Sequence, residues 1–102
     1  MRIVICCSQG MSSSIFVRAL RKEIKEENLK YTVASIGIFE LSKYIDKVDV
    51  VLLAPQVKYA FKDISQISKT YSVPTILINE GDYGIMNVKK VLKYIKNEHN
   101  LK

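Results

Sequence analysis

Four short, strongly apolar runs divide this sequence, and each is followed by a longer segment with helical periodicity or turn residues. The runs are Arg2–Cys6, Tyr31–Ile36, Asp49–Ala54 and Thr75–Ile78. Their apolar, largely β-branched composition is typical of fully buried strands. Helical crossovers between successive strands favour a parallel sheet. The pattern therefore predicts an α/β fold in three layers, in which a four-stranded parallel sheet carries helices on both faces.

The segments between these runs place apolar residues at helical spacing. A helix is predicted from Ser12 to about Asn28, because Phe16, Leu20 and Ile24 recur every four residues. Shorter signals predict a helix around Glu40–Ile45, one after Pro55 and a last one marked by Val88, Leu92 and Ile95, whereas Asn79–Gly84 is predicted to be a turn-rich loop.

Parallel sheets of this kind bind ligands beyond the carboxyl ends of their strands, where the strand order reverses. If the first and third strands are neighbours, the spatial order is about 2-1-3-4. Three connections then converge at one edge: Cys7–Ser13, Ala54–Val57 and Asn79–Gly84. We expect the functional site there.

Length and charge limit the remaining classes of protein. With 102 residues, the chain fits a single domain, 1–102, and its longest apolar run is too short to span a membrane. The net charge of +6 comes mainly from lysines on predicted helix faces, so we expect at most an acidic docking partner and no nucleic acid. Two adjacent cysteines without ligand spacing predict free thiols in the reducing cytoplasm, with neither a metal nor a diffusible cofactor.

The loop after the first strand carries the chemistry that the sequence predicts. Its residues are Cys7-Ser8-Gln9-Gly10-Met11-Ser12-Ser13-Ser14, at the start of the first predicted helix. Gly10 permits a tight curl, and the serines supply capping hydroxyl groups. Unpaired N–H groups and the helix dipole at this position suit a phosphoryl group. The same field lowers the pKa of a thiol, so Cys7 is the candidate nucleophile and phosphoryl acceptor. Cys6, on the opposite face of the strand by alternation, is expected to be a core residue.

Several known phosphate-binding loops differ from this one. There is no Gly-Lys-Ser/Thr of a Walker loop and no set of three spaced glycines of a dinucleotide site. The loop arrangement resembles that of low-molecular-weight cysteine phosphatases, but Ser13 stands where Cys-x5-Arg requires an arginine. Without this clamp, and with only Asp82 as a possible general acid, hydrolysis is disfavoured and transfer fits better. A phosphate-binding regulatory module and a phosphatase-like enzyme remain the alternatives.

Three segments resemble a known family, the lactose/cellobiose (chitobiose) class of enzyme IIB components of the sugar phosphotransferase system. Ile5–Ser14 is similar to its Cys-Ser-x-Gly-Met-Ser-Thr/Ser-Ser loop, and Val50–Tyr59 to its Val-x-Leu-Leu-Gly/Ala-Pro-Gln-x-x-Tyr segment. Tyr83–Val88 resembles Tyr-Gly-x-Met-Asp-Gly, with Asn87 and Val88 in place of Asp-Gly. The resemblance covers nearly the whole chain.

The resemblance implies a phosphoryl carrier. Cys7 would accept phosphate from a phosphohistidine of enzyme IIA and deliver it to a sugar bound by the membrane enzyme IIC. Such transfer would need an exposed, charge-stabilised sulfur, with Gln56, Tyr59 and Tyr83 on the neighbouring loops lining the site or its docking rim. We expect a monomer, because a carrier of this size must dock two partners in turn.

Overall fold

The strands of this chain form one parallel sheet. A computed structural model describes residues 1–8 and 14–100, apart from the side chains of Ser14, His99 and Asn100. The strands are β1 (Arg2–Cys7), β2 (Thr32–Gly37), β3 (Val50–Leu53) and β4 (Thr75–Leu77). All neighbouring pairs are parallel, and the spatial order is β2-β1-β3-β4. The predicted fold class and strand order are therefore confirmed.

Four of the described helices lie where helices were predicted, with shifted ends, and one lies in the predicted loop. The helices are α1 (Ser14–Glu26), α2 (Leu41–Tyr44), α3 (Phe61–Thr70), α4 (Glu80–Gly84) and α5 (Val88–Asn100). Short 3-10 turns, Ile38–Glu40 and Ile45–Lys47, flank α2, and a longer 3-10 segment, Pro55–Ala60, leads into α3. Pro55 fits at the start of this segment because N–H groups in a first helical turn have no partner within the helix, so the N–H group that proline lacks costs no hydrogen bond.

Two apolar clusters, one on each face of the sheet, give the molecule its three layers. Side chains alternate along β1, so Ile3 and Ile5 face the cluster built with α1 and α5. Val4 and Cys6 face the cluster that includes Leu41 of α2 and residues of α3 and the 3-10 segments. Burial on both faces explains why the strands are continuous apolar runs rather than alternating ones.

The carboxyl ends of the strands lie side by side at one edge of the sheet. Cys7 pairs with Gly37, which makes β1 one residue longer than predicted. Beyond the end of β3, the Ala54 N–H group donates to the Cys6 carbonyl oxygen at 3.0 Å. In the same way, the Ile78 N–H group donates to the Leu53 carbonyl oxygen at 3.0 Å. The connections that follow β1, β3 and β4 therefore start from one edge, as the predicted convergence requires.

The prediction of a loop over Asn79–Gly84 is wrong, because residues Glu80–Gly84 form the short helix α4. The side-chain oxygen Oδ1 of Asn79 accepts hydrogen bonds from the N–H groups of Gly81 at 2.8 Å and Asp82 at 3.2 Å. This N-cap satisfies donors that would otherwise have no partner at the helix start, which offsets the poor helix propensity of the two glycines.

The basic residues of α5 contact acidic residues of neighbouring helices. Lys96 Nζ lies 2.6 Å from Glu27 Oε1, one residue beyond the end of α1, and Lys90 Nζ lies 3.5 Å from Asp82 Oδ2 of α4. Part of the positive charge that the sequence concentrates near its end is thus balanced within the molecule. Within the described ranges, no helix is both long and apolar enough to cross a membrane.

Candidate active site

Cys7 is the last residue of β1, and its side chain is fully buried (0% exposed). Its sulfur lies 3.8 Å from the Ser35 hydroxyl oxygen and 3.9 Å from the Ile36 carbonyl oxygen, to which the thiol can donate. Both groups belong to β2, which runs alongside β1. The expectation of an exposed sulfur is therefore wrong for this structure, because the adjacent strand and the packing at the sheet edge cover the thiol.

Most of the predicted phosphate-binding loop lies outside the described residues. This holds for Gln9, Gly10, Met11, Ser12 and Ser13. Ser8 is described and exposed, and Ser14 is the first residue of α1. Cys7 and the start of α1 therefore flank the loop at the sheet edge, whereas the anion site between them stays a prediction.

Tyr83 and Gln56 come from different connections at the carboxyl edge, and Tyr83 lies within electrostatic reach of Cys7. A side-chain hydrogen bond joins Tyr83 to Gln56. Burial raises the pKa of the Tyr83 hydroxyl, the hydrogen bond to Gln56 opposes this shift, and negative charge on Cys7 raises the pKa further. The last effect places the phenol within electrostatic reach of the sulfur. The Tyr83 ring also stacks on Phe16 of α1, with 4.9 Å between the ring centroids, which fixes its position.

Tyr59, the third residue of the predicted rim, has a different environment. It lies in the 3-10 segment before α3 and is 74% exposed. Tyr59 thus belongs to the surface of the molecule, whereas Tyr83 is part of the packing beside Cys7. Of the predicted rim residues, Tyr83 lies within electrostatic reach of the sulfur, Gln56 is hydrogen-bonded to Tyr83, and Tyr59 faces solvent.

Cys6 is as deeply buried as Cys7 but sits among apolar groups. Both cysteines border the apolar cluster on the α2 and α3 side of the sheet. Burial raises the pKa of the Cys6 thiol to about 12, and the charge of the neighbouring Cys7 adds to the shift. At neutral pH Cys6 is therefore a neutral thiol in the core, which agrees with a structural role.

Two residues of and after β2, close to the end of β1, were not predicted from the sequence. Ser35 lies within β2, where an isolated serine gives no signal unless the register between the strands is known. Glu40 lies just after β2: a Cβ atom placed on Gly37 would be 3.2 Å from Glu40 Oε1 and 3.5 Å from the Ser8 carbonyl oxygen. Glycine at position 37 thus lets a carboxylate approach the backbone that follows Cys7.

Asp82, the possible general acid of a phosphatase, is buried in α4. Its carboxylate lies 3.5 Å from the ammonium group of Lys90. The carboxylate is thus engaged in an ion pair with a residue of α5. The arrangement gives no support to the hydrolytic alternative.

Comparisons with known proteins agree with this geometry. Residues 2–94 match the family described as "PTS system, Lactose/Cellobiose specific IIB subunit". The chain belongs to this family of IIB subunits. The resemblance inferred from the three sequence segments is thereby confirmed, and the chain is a component of a lactose/cellobiose-type phosphotransferase system.

Individual relatives show how far the similarity of this IIB subunit extends. The solution structure of the cellobiose-specific phosphotransferase IIB component from Borrelia burgdorferi is 40% identical and superposes with a TM-score of 0.84, covering 100% of this chain and 94% of that one. The galactose-specific EIIB component of Lactococcus lactis subsp. cremoris is 29% identical over 96% of this chain and 95% of its own length. The lactose-specific EIICB component of Lacticaseibacillus casei is 27% identical over 81% of this chain. The matched part is 16% of that longer protein.

Proposed function

We propose that this IIB subunit is a phosphoryl carrier whose acceptor atom is the sulfur of Cys7. The position of Cys7 supports the proposal best: it ends β1 at the carboxyl edge of the sheet, shortly before the start of α1. A thiol near a helix N-terminus is acidified, and the same helix end favours a bound phosphoryl group. Ser8, Gln9, Gly10, Met11, Ser12, Ser13 and Ser14 would form the phosphate-binding loop.

In the first step, the Cys7 thiolate attacks the phosphorus atom of a phosphohistidine on enzyme IIA. A sulfur–phosphorus bond forms as the nitrogen–phosphorus bond breaks, and the bonding electron pair returns to the imidazole. Attacking and leaving atoms must lie in line, so IIA has to approach along the open side of the sulfur.

In the second step, a hydroxyl group of a sugar bound to membrane enzyme IIC attacks the same phosphorus atom. The oxygen–phosphorus bond forms, the sulfur–phosphorus bond breaks, and the thiolate of Cys7 is restored. A base beside the sugar takes the hydroxyl proton. Transfer to sugars of the cellobiose, chitobiose or lactose type agrees with the family, and neither step calls for a metal or a diffusible cofactor.

The burial of Cys7 sets a condition on both steps. Because the sulfur is fully buried, neither partner can reach it in line unless a covering group moves aside. A charge on the sulfur acts on Tyr83, which is hydrogen-bonded to Gln56, and the Gln56 side chain is exposed to an incoming partner. We place the opening of the site at this pair. A sulfur that is covered until a partner docks would also protect a phosphocysteine from water.

The surface around the site fits docking proteins. Among the residues that the structure describes, the four most exposed large apolar side chains are Ile15 (63%), Phe39 (86%), Tyr59 (74%) and Ile85 (76%). Each follows a different strand: Ile15 lies in α1, Phe39 before α2, Tyr59 before α3 and Ile85 directly after α4. The connections after parallel strands start from one edge, so we place these side chains around the carboxyl edge of the sheet, near the end of β1. Such an exposed apolar ring is typical of a protein–protein interface.

Enzyme IIA and sugar-loaded enzyme IIC are the partners that this ring would dock in turn. The fused EIICB protein among the relatives supports the pairing with IIC. We propose that the single domain 1–102 works as a monomer on the cytoplasmic side of the membrane, because a ring buried in a dimer could not receive either partner. Nucleic acid is no partner in this scheme.

The experiment is intact-protein mass spectrometry after incubation with phosphorylated enzyme IIA. We expect one added phosphoryl group on the wild type and on Cys6→Ala, and none on Cys7→Ser. The Cys6 variant is the matched control, because it removes the adjacent buried thiol. Undiminished labelling of Cys7→Ser would disprove the role of Cys7. A regulatory phosphate-binding module would instead bind phosphate without passing it to sugar in the presence of IIC.

A further inference from the structure

We infer that Ser35 is a positioning residue that holds the Cys7 sulfur at the end of β1 and favours its thiolate. The inference rests on the proposed role of Cys7 and adds a hydroxyl group from a different strand. The observation behind it is the approach of the Ser35 hydroxyl oxygen to the Cys7 sulfur at 3.8 Å.

The register of the sheet explains this approach. Ser35 pairs with Ile5, two residues before Cys7, and Gly37 pairs with Cys7 itself. Residues paired in register point to the same side of a sheet, so the Ser35 side chain lies on the side of Ile5. In this register the Cys7 sulfur, at the end of β1, lies within hydrogen-bond distance of the Ser35 hydroxyl group on the neighbouring strand.

The two groups of β2 that contact the sulfur act on different protonation states. The Ile36 carbonyl, 3.9 Å from the sulfur, can only accept, so it stabilises the protonated thiol. The Ser35 hydroxyl can accept from the thiol or donate to the thiolate. Once the proton has left, the carbonyl has nothing to accept and Ser35 becomes a donor to sulfur. A hydrogen bond to a charged group is about twice as strong as one between neutral groups, so Ser35 favours ionisation.

This arrangement separates Cys7 from Cys6, although both are fully buried. Burial by itself disfavours a thiolate, as the pKa of about 12 at Cys6 shows. A buried nucleophile needs donors to offset that penalty. Ser35 is a donor that β2 supplies whether or not a phosphoryl group is present, so its effect belongs to the resting protein.

The test is a pH titration of the Cys7 thiolate by its ultraviolet absorbance, in full-length protein carrying Cys6→Ala. Subtracting the same titration of the Cys6→Ala/Cys7→Ser protein removes the absorbance of the tyrosines. We compare Ser35→Val with Ser35→Thr, which have the same shape and differ in one hydroxyl group. Ser68→Ala is the control, because Ser68 is a fully buried serine on α3, in a different layer.

We expect Ser35→Val to raise the titration midpoint by about one pH unit, which means about tenfold less thiolate at neutral pH. Ser35→Thr and Ser68→Ala should keep the wild-type midpoint. Equal midpoints for Ser35→Val and Ser35→Thr in folded proteins would overturn the inference. The titration needs neither IIA nor IIC, so it tests the role of Ser35 independently of phosphoryl transfer. Equal midpoints would overturn the role of Ser35 even if Cys7 is labelled, and a shifted midpoint would support it even if no transfer is observed.

Discussion

Cys6 and Cys7 are neighbours in the chain, both are fully buried, and yet their surroundings differ. Cys6 packs among the apolar residues between the sheet and the α2 and α3 layer, and burial raises its pKa to about 12. The Cys7 sulfur meets a hydroxyl group and a carbonyl group of β2 and lies within electrostatic reach of Tyr83. Exposure alone would not distinguish the two thiols.

The difference arises because Cys7 is the last residue of β1. Inside a parallel sheet both faces are covered by helices, so Cys6 has apolar neighbours. At the carboxyl edge the strands give way to their connections, and polar groups of several connections come together. One step along the chain thus changes a core position into a candidate reactive position. The predictions below test this contrast.

The largest effect is expected in sugar phosphorylation with IIA and with IIC in membrane vesicles. Cys7→Ser should reduce the rate to that measured without any IIB subunit, because a serine hydroxyl is a much weaker nucleophile than a thiolate. Cys6→Ala should keep most of the wild-type rate. If the Cys6 variant lost activity while remaining folded, the division of roles between the two cysteines would be wrong.

A substitution in the exposed apolar ring should have the next largest effect, on the rate of phosphoryl transfer from IIA. Phe39→Ala removes a large apolar side chain that is 86% exposed, and it should slow phosphoryl transfer from IIA about tenfold, as expected for a side chain central to an interface. Tyr71→Ala is the matched control, since Tyr71 is a half-exposed aromatic at the C-terminal end of α3, away from the carboxyl edge. Stopped-flow or quenched-flow labelling gives the rates. Equal slowing in both variants would argue against a docking ring.

Replacing each thiol by a hydroxyl group should change the stability of the fold differently at the two positions. Cys6→Ser puts a hydroxyl group among apolar residues and should destabilise the fold by about 1–3 kcal/mol relative to Cys6→Ala. Cys7→Ser should cost less relative to Cys7→Ala, because Ser35 and the Ile36 carbonyl can bond the new hydroxyl group. Urea unfolding measures all four variants. A larger hydroxyl penalty at position 7 than at position 6 would contradict the described surroundings.

The smallest effect is a loss of stability at alkaline pH. The pKa of Cys6 is raised from 9.0 to about 12 on folding, so above pH 9 the unfolded chain loses a proton that the folded chain keeps. The Cys6 contribution is therefore complete below pH 9 and falls as the pH rises toward 12. At pH 10 the loss amounts to about 1.4 kcal/mol. The measurement is the free energy of unfolding of the wild type and of Cys6→Ala at pH 7 and at pH 10. The difference between the two proteins should shrink by this amount at pH 10, and an unchanged difference would contradict the prediction.

Strand order, layers and the position of Cys7 could be predicted from the sequence because the apolar runs and helical spacing are strong local signals. The contacts of Cys7 could not. Ser35 reaches the sulfur only through the register of β1 with β2, which depends on packing across the whole sheet. The burial of Cys7 was missed for the same reason, since the residues that cover it are distant in the chain. The helix α4 was missed because its glycines outweighed the capping signal of Asn79.

The most direct test of the account is to locate the phosphoryl group in the wild-type protein. After labelling by phosphorylated IIA, proteolysis under mild alkaline conditions and fragment-ion mass spectrometry assign the group to one residue. We expect the phosphoryl group on Cys7. A phosphoryl group on Ser8, on one of the serines at the start of α1, on His99 or on Cys6 would contradict the central claim that the carboxyl end of β1 supplies the acceptor sulfur.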